Sequence, residues 1–311
     1  GFIKKTAPTV VGPVDGEGGS ASGIWTLDQA ADYESRGLWP MPVLDAELYT
    51  WGNNSTGQLG DGTTTVRSSP VQIGALTTWL QTASGYSHTL ATTTDGKLYA
   101  WGTNTPYGEL GQGNTTNYSS PVQVGALTTW LQVAGGYSHS LAIKTDGTLW
   151  SFGRNFRGAL GLGNITDYSS PVQVGALTTW SDTSAGAYFS AATKTDGTLW
   201  CWGQNTQGQL GDGTSTNRSS PVQVGALTTW SKVVCGNAHT LALKTDGTLW
   251  AWGNNSIGQL GQGNTTNYSS PVQVGALTTW SDTAAGNYHS LAIKTDGALW
   301  TWGYNVSGQL G

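Results

Sequence analysis

The stretch SSPVQVGALTTW stands at 119–130 and returns unchanged at 169–180, 219–230 and 269–280, with an earlier copy at 68–79 that differs only in Ile73 for Val. No other feature restricts the fold as much. A chain that repeats itself at a fixed period builds one supersecondary unit many times and buries each unit against its neighbours. The period is 50 residues, with a single 51-residue unit where Pro106 and Tyr107 lengthen a turn. Units therefore start at Leu48, Leu98, Leu149, Leu199, Leu249 and Leu299, and the last reaches only Gly311.

Within a unit the pattern reads as four short strands, for example LWAWG at 249–253, PVQV at 271–274, WSDTAAG at 280–286 and HSLAIKT at 289–295. The last piece meets the next LW(A/T)WG through Asp-Gly, as at Asp95, Asp146, Asp196, Asp246 and Asp296. Asp-Gly between alternating strands is a strong hairpin signal and predicts a tight turn with positive φ at both turn residues. In LWAWG, Leu249 and Ala251 point to one face and Trp250 and Trp252 to the other. Apolar side chains on both faces mean a sheet covered on both sides, as in a β-propeller whose four-stranded blades pack face to face around an axis. Helices are excluded as the repeating unit, because no window sustains apolar residues at spacings of three and four and Gly and Pro would break them.

Composition agrees with an all-β chain: 46 glycines and 16 tryptophans in 311 residues supply tight turns and aromatic-rich strands. Charged residues make up only 10% of the chain and the net charge is -5. Neutralising phosphates takes a concentrated Lys/Arg field, so nucleic acid and an anionic membrane are not expected partners. No segment approaches the roughly 20 apolar residues of a membrane span, so no membrane insertion is expected. Cys201 and Cys235 take positions filled by small residues in sister units and read as buried thiols rather than a disulfide framework.

The combination G-x-x-H-(S/T)-L-A followed by D-G-x-L-W-x-W-G-x-N-x-x-G-Q-L-G resembles the regulator-of-chromosome-condensation repeat, over about residues 43 to 311. The resemblance implies a propeller that closes with seven blades, its N-terminal and C-terminal strands sharing one of them. Val43 to Trp51 then reads as the second hairpin of a blade, with Asp45-Ala46 in place of Asp-Gly. The missing first hairpin is expected from sequence beyond Gly311, about half a repeat for six blades or about one and a half for seven.

Residues 1–41 form a separate segment, with the propeller domain expected over 42–311. Thr6 to Gly23 is rich in Pro, Gly, Ser and Thr and reads as an extended strap. Thr26 and Gln29 make a capping-box pattern, Trp25 and Ala30 a flanking staple, and Gly37 with Pro40 a stop, which together predict a short helix. About ten residues of helix are marginal alone, so Trp25, Leu27, Tyr33, Leu38 and Trp39 are its expected docking contacts. The stretch SGIWTLDQAADYESRGLWP resembles a short tag in structural proteins of tailed bacteriophages. That resemblance implies an attachment segment joining the propeller to a virion, with an oligomeric state set by particle symmetry.

A search for catalytic chemistry finds repetition where an active site needs unlike residues. His88, His139, His239 and His289 share one repeat position that Phe189 also fills, which argues for packing rather than metal binding. The Asp residues mostly serve Asp-Gly turns, and the recurring G-x-G is not followed by a helix as a phosphate loop would be. No enzyme, cofactor or metal is expected. Variation concentrates instead in the turn after W-G, which reads NNST, TNTPY, RNFR, QNTQ, NNSI and YNVS in successive units. Equivalent turns of a propeller gather on one rim, so Asn53, Thr56, Tyr107, Arg154, Phe156, Arg157, Gln204, Gln207, Ile257 and Tyr304 are the candidate contacts. Arg154, Phe156 and Arg157 stand out, because Arg and aromatic residues are enriched at interfaces.

These readings converge on a non-enzymatic virion protein, a head, neck or tail decoration or fibre. Its propeller would touch a host-surface protein or glycan, and its leader other virion proteins. Two other roles are weighed. Guanine-nucleotide exchange on a small GTPase is the activity of the resembling family's founding member, which uses an inserted wedge and a basic tail; complete units here differ by one residue at most. A bacterial surface adhesin would require a signal peptide upstream of Gly1.

Overall fold

The computed structural model describes Phe2–Lys5 and 46–311. The strap, the helix and the contacts Trp25, Leu27, Tyr33, Leu38 and Trp39 lie outside the described residues. All regular elements described are strands apart from one 3-10 turn, Phe156–Gly158.

The first sheet holds β1 (Phe2–Lys5), β2 (Ala46–Gly52) and β3 (Arg67–Gln72). Four four-stranded blades follow. They are β4 (Trp79–Ser84) to β7 (Tyr118–Gln123), with β5 (His88–Thr93) and β6 (Leu98–Gly102) between; then β8 (Trp130–Gly135), β9 (His139–Lys144), β10 (Leu149–Gly153) and β11 (Tyr168–Gln173). Next come β12 (Trp180–Ala185), β13 (Phe189–Lys194), β14 (Leu199–Gly203) and β15 (Arg218–Gln223), and β16 (Trp230–Cys235), β17 (His239–Lys244), β18 (Leu249–Gly253) and β19 (Tyr268–Gln273). A three-stranded sheet of β20 (Trp280–Ala285), β21 (His289–Lys294) and β22 (Leu299–Gly303) ends the chain. Each blade is an antiparallel meander in sequence order, and it straddles two repeat units, taking two strands from each. The outermost strand carries the Pro of SSPVQ, where a missing ladder donor costs least.

The alternation in LWAWG does what the pattern predicts. Leu249 and Ala251 enter one core with Leu241, Leu260 and Trp280, whereas Trp252 enters another with Phe189, Leu210 and Trp230. Each of the four-stranded blades therefore supplies one wall to each of two apolar interfaces, and successive blades are held together by burial between them. Trp101, Trp202 and Trp252 are completely buried, and their indole N–H groups donate to the carbonyls of Gln58, Ala159 and Gln209 in neighbouring loops.

Two expectations are corrected. The Asp-Gly hairpins carry positive φ at the glycine alone: Gly96 and Gly147 have φ of 77° and 75°, and no Asp among the described residues is left-handed. Gly147 N–H donates to the Lys144 carbonyl at 2.9 Å, a type I turn closed by a left-handed glycine. Asp146 Oδ1 accepts from the Thr148 amide and hydroxyl at 3.0 and 2.7 Å, which holds the acidic residue in its ordinary φ region. The second correction concerns the first blade. Ala46 is a buried strand residue rather than a turn residue, and the neighbour of β2 is β1, with Phe2 opposite Tyr49 and Lys5 opposite Ala46. A position assigned to residues near Val43 is thus filled by the start of the chain.

Candidate functional site

The innermost strands β4, β8, β12, β16 and β20 end on Gly-rich segments around the axis, and backbone bonds run from blade to blade there. Tyr86 N–H donates to the Gly136 carbonyl at 3.1 Å, Tyr137 N–H to the Ala187 carbonyl at 3.2 Å, and Ala187 N–H to the Asn237 carbonyl at 3.1 Å. Glycine is required at the hub: a Cβ on Gly136 would overlap the His139 ring and the Gly186 carbonyl.

The histidines complete this hub. Ser140 Oγ donates to the Glu109 carbonyl at 2.7 Å, so it accepts from His88 Nε2–H at 3.0 Å, across a blade boundary. His139 meets Ser190 and His239 meets Ser290 in the same way, each at 3.0 Å. Burial pushes the imidazoles down, His88 to about 3 and His139 and His239 to about 4. These residues do more than pack: they bolt neighbouring blades together through a neutral ring. The four histidines stand on four different blades, and among the described residues no group of three or more His, Cys, Asp and Glu is placed to share a metal.

The rim turns lie at the same end of the blades as the segments that precede the His strands, because His139 pairs with Gly153 in register. Each turn wraps a buried asparagine. Asn155 Oδ1 accepts from Leu160 N–H at 2.9 Å and its amide donates to the Asn164 carbonyl at 3.0 Å, as Asn54, Asn104, Asn205 and Asn255 do in their own units. A glutamine then holds the turn from below: Gln58, Gln209 and Gln259 accept from the backbone amides of Thr56, Gln207 and Ile257. In the third unit Ala159 stands at that position and offers no acceptor. The turn there tightens to the 3-10 form and Arg157 takes φ 58°, the single left-handed non-glycine among the described residues.

The ten candidate residues separate accordingly. Asn53 accepts from Ser55 and Gln58, Thr56 donates to Gln58, Gln204 donates to Thr206, and Gln207 accepts from Asn267, so these four side chains largely order their own rim. Ile257 is exposed on a different sector, and Tyr304 packs edge-on against Tyr288. The remaining four come together. Arg154 Cζ lies 4.4 Å from the Tyr107 ring centroid, 4.9 Å from Phe156 and 5.7 Å from Tyr188, while Arg157 Cζ lies 4.9 Å from Phe156 on another approach. With Asn155, Ile165 and Asp167 they line an open cleft of about 390 Å³.

Sequence reasoning missed the tyrosines. Tyr86 stacks on Tyr137 at 4.3 Å, Tyr137 meets Tyr188 at 5.4 Å, and Tyr188 meets Phe156 edge-on at 5.1 Å. An aromatic row thus runs beside the hub to the arginine cluster. The signal was present in the two residues of G-x-x-H, which read YS, YS, AY, NA and NY (with Phe in place of His in the third) and vary as much as the rim turns. Glu109 was missed as well: it replaces glutamine, its carboxyl is buried with Oε2 unpaired, and burial pushes it up to about 7 against the pull of Arg154. The assembled face presents guanidinium groups over aromatic rings at the mouth of the axis. Such a surface is suited to contact rather than to bond cleavage.

Comparison with known proteins bears on this geometry. A profile of the regulator of chromosome condensation (RCC1) repeat matches residues 45–92, 95–143, 146–193, 196–243 and 246–293. The ultraviolet-B receptor UVR8 of Arabidopsis thaliana is 38% identical over 115 residues, 36% of this chain and 26% of that protein. The protein RCC2 homolog of Xenopus laevis is 38% identical over 117 residues, 36% of this chain and 22% of that protein. The matched region is about a quarter of each of these relatives or less. Among solved structures, human WBSCR16 superposes with a TM-score of 0.70 at 25% identity, covering 78% of this chain and 66% of that one. Prp20p of Saccharomyces cerevisiae superposes with a TM-score of 0.73 at 22% identity, covering 83% and 68%, a likeness of fold.

Proposed function

The chain belongs to the regulator of chromosome condensation (RCC1) repeat family, and from that premise we propose that it is a non-catalytic propeller that seats a protein partner on the face carrying Tyr107, Arg154, Phe156, Arg157 and Tyr188. The observation that carries this reading is the clustering of departures from an otherwise monotonous frame. Arg154, Phe156, Arg157, Ala159, Ile165, Asp167 and Tyr188 each differ from most sister units, and Tyr107 is part of the one insertion. Drift scattered over independent loops would not gather cation, aromatic rings and an open cleft in one sector. Relatives of this fold are described as protein binders: yeast Prp20 was solved with Kap60 bound and is described with binding to Gsp1p and histones. The test is site-directed photo-crosslinking from Tyr107 and Tyr188 in the native host extract. Specific adducts lost in Arg154→Ala, with none from Ile257 on a different sector, support the reading; equal adducts from every rim position refute it.

Nucleotide exchange on a small GTPase is a second reading, supported by the Gsp1p binding described for the yeast relative. A catalytic acceleration of nucleotide release by the purified chain would place exchange first. The phage-tag likeness supports a third, in which the N-terminal segment that follows Lys5, up to residue 41, anchors the propeller to a virion that displays it toward a host surface. Mass spectrometry of purified particles tests that role, and absence of the protein from them removes it.

A further inference from the structure

A second set of clefts lies on the flank of the molecule, away from the hub, between the outermost strand of one blade and the face of the next. The larger, about 460 Å³, runs from Gln173 on β11 to Ser220 on β15, with Trp180 and Trp200 in its wall. The other, about 320 Å³, shares part of this lining one blade earlier, with Trp130, Trp150 and Ser170 in place of Trp180, Trp200 and Ser220. Both volumes fall in the range of small-ligand sites.

Lys194 is the single charged residue lining the larger cleft. Its side chain is buried, the whole residue being 8% exposed, and its Nζ sits 3.7 Å from the Trp200 ring centroid and 4.9 Å from Trp180. Among the described residues its ammonium makes no hydrogen bond and no ion pair, and it opens onto the cleft. Burial holds it below the usual lysine range, with Asp196 opposing. The arrangement repeats: Lys144, Lys244 and Lys294 lie 3.7, 3.6 and 4.4 Å from the rings of Trp150, Trp250 and Trp300. Beside the indole stand neutral hydrogen-bonding groups, Asn164, Gln173 and Ser220. Trp180 Nε1–H is buried in the wall without a partner, and so are its equivalents in Trp130, Trp230 and Trp280.

We infer that the larger cleft binds acidic saccharide, one pyranose ring at a time: the ring's C–H face lies on Trp200, its hydroxyls meet Asn164, Gln173 and Ser220, and its carboxylate pairs with Lys194; the Lys–Trp pairs on neighbouring blades offer the same charge and ring. The charge supplies the choice among ligands. A neutral sugar would leave the ammonium unpaired, and a phosphate-rich polymer would meet one lysine per blade in an acidic protein, too sparse a field for such binding. Repetition on consecutive blades suits a polymer with regularly spaced carboxylates, because linked weak sites gain by effective concentration. This site is distinct from the axis-mouth face, so its failure leaves the protein-binding proposal standing.

The test titrates the full chain with tetragalacturonate and with a hyaluronan hexasaccharide, against cellotetraose and a glutamate tetrapeptide, following tryptophan fluorescence and calorimetry. Binding of at least one acidic saccharide is expected, with affinity reduced about tenfold or more when Lys144, Lys194 and Lys244 are all changed to Gln. Because buried lysines contribute to packing, a second variant with Leu127→Trp, Leu177→Trp and Leu227→Trp fills the exposed cleft lips and should lose the same binding. No heat and no fluorescence change with either acidic saccharide up to about 10 mM would overturn the proposal. So would affinity unaltered in both variants, or equal affinity for cellotetraose or the glutamate peptide.

Discussion

Each of the described Ser partners ties two blades at once: Ser190 Oγ donates to the Ala159 carbonyl at 2.8 Å and stands 3.0 Å from Nε2 of His139 in the preceding blade. One hydroxyl serves both bonds, so removing it orphans a buried imidazole N–H, while the Ala159 carbonyl keeps the Trp202 indole N–H at 2.9 Å. Ser190→Ala should lower unfolding free energy by about 1–3 kcal/mol, read from urea denaturation. A loss below about 0.5 kcal/mol would mean the hub is held by packing alone.

The same histidines set an acid limit. Their folded pKa values, about 3 for His88 and about 4 for His139 and His239, lie below the ordinary value of 6.5. Between pH 6.5 and about 4 the unfolded chain binds more protons at these rings than the folded one, so stability is full above pH 6.5 and is lost as pH falls through that window. Each ring contributes a slope of up to about 1.4 kcal/mol per pH unit. His139→Phe, which copies the natural Phe189 of the next blade, should make the pH dependence shallower in urea titrations at pH 7, 6 and 5.

Glu109 acts in the opposite direction. With its carboxyl pushed up to about 7, it is protonated in the fold where the unfolded chain is ionised, so it costs stability as pH rises from 4.5 toward 7. Glu109→Gln, the residue found in sister units, should stabilise by about 1–3 kcal/mol at pH 8 and by little at pH 4. Equal effects at both pH values would show that ionisation is not the cause.

Arg157 holds a left-handed conformation at φ 58° that an L side chain adopts at a cost. Arg157→Gly should raise stability by about 1 kcal/mol, while weakening any partner that uses the guanidinium. A melting temperature that falls in Arg157→Gly would show that the Arg157–Phe156 contact outweighs backbone strain.

Gly136 and Gly125 form a controlled pair. A Cβ at Gly136 would overlap the His139 ring, whereas one at Gly125, with φ 61°, would meet no atom within 4 Å. Gly136→Ala should cost about 3 kcal/mol or more, and Gly125→Ala about 1 kcal/mol from backbone strain. Thermal melts of the two variants, compared side by side, check the difference.

Blade architecture was legible because it depends on near neighbours in the chain. Alternation in LWAWG, glycine after Asp146 and a 50-residue period each report a local requirement repeated five times, and repetition averages away ambiguity. The turn type was misread because the Asp146 side chain accepts from Thr148, an option that the Asp-Gly dipeptide alone does not reveal. Arg154 and Phe156 were legible as candidates because they break the pattern, but Tyr188 was not, since it lies on the next blade and meets them only when two blades pack.

The amino-acid order alone therefore determined an all-β repeat with apolar residues on both faces of every blade, since periodicity and turn chemistry act over a few residues. Tertiary structure decided which side chains share a surface: Phe2–Lys5 beside β2, His139 against Ser190, Arg154 under Tyr107 and Tyr188, and Lys194 between two indoles. The His139–Ser190 and Arg154–Tyr188 partners come from different blades, Lys194 and its indoles from adjacent strands of one blade, and β1 and β2 from segments more than forty residues apart, so only the folded chain fixes the distances between them.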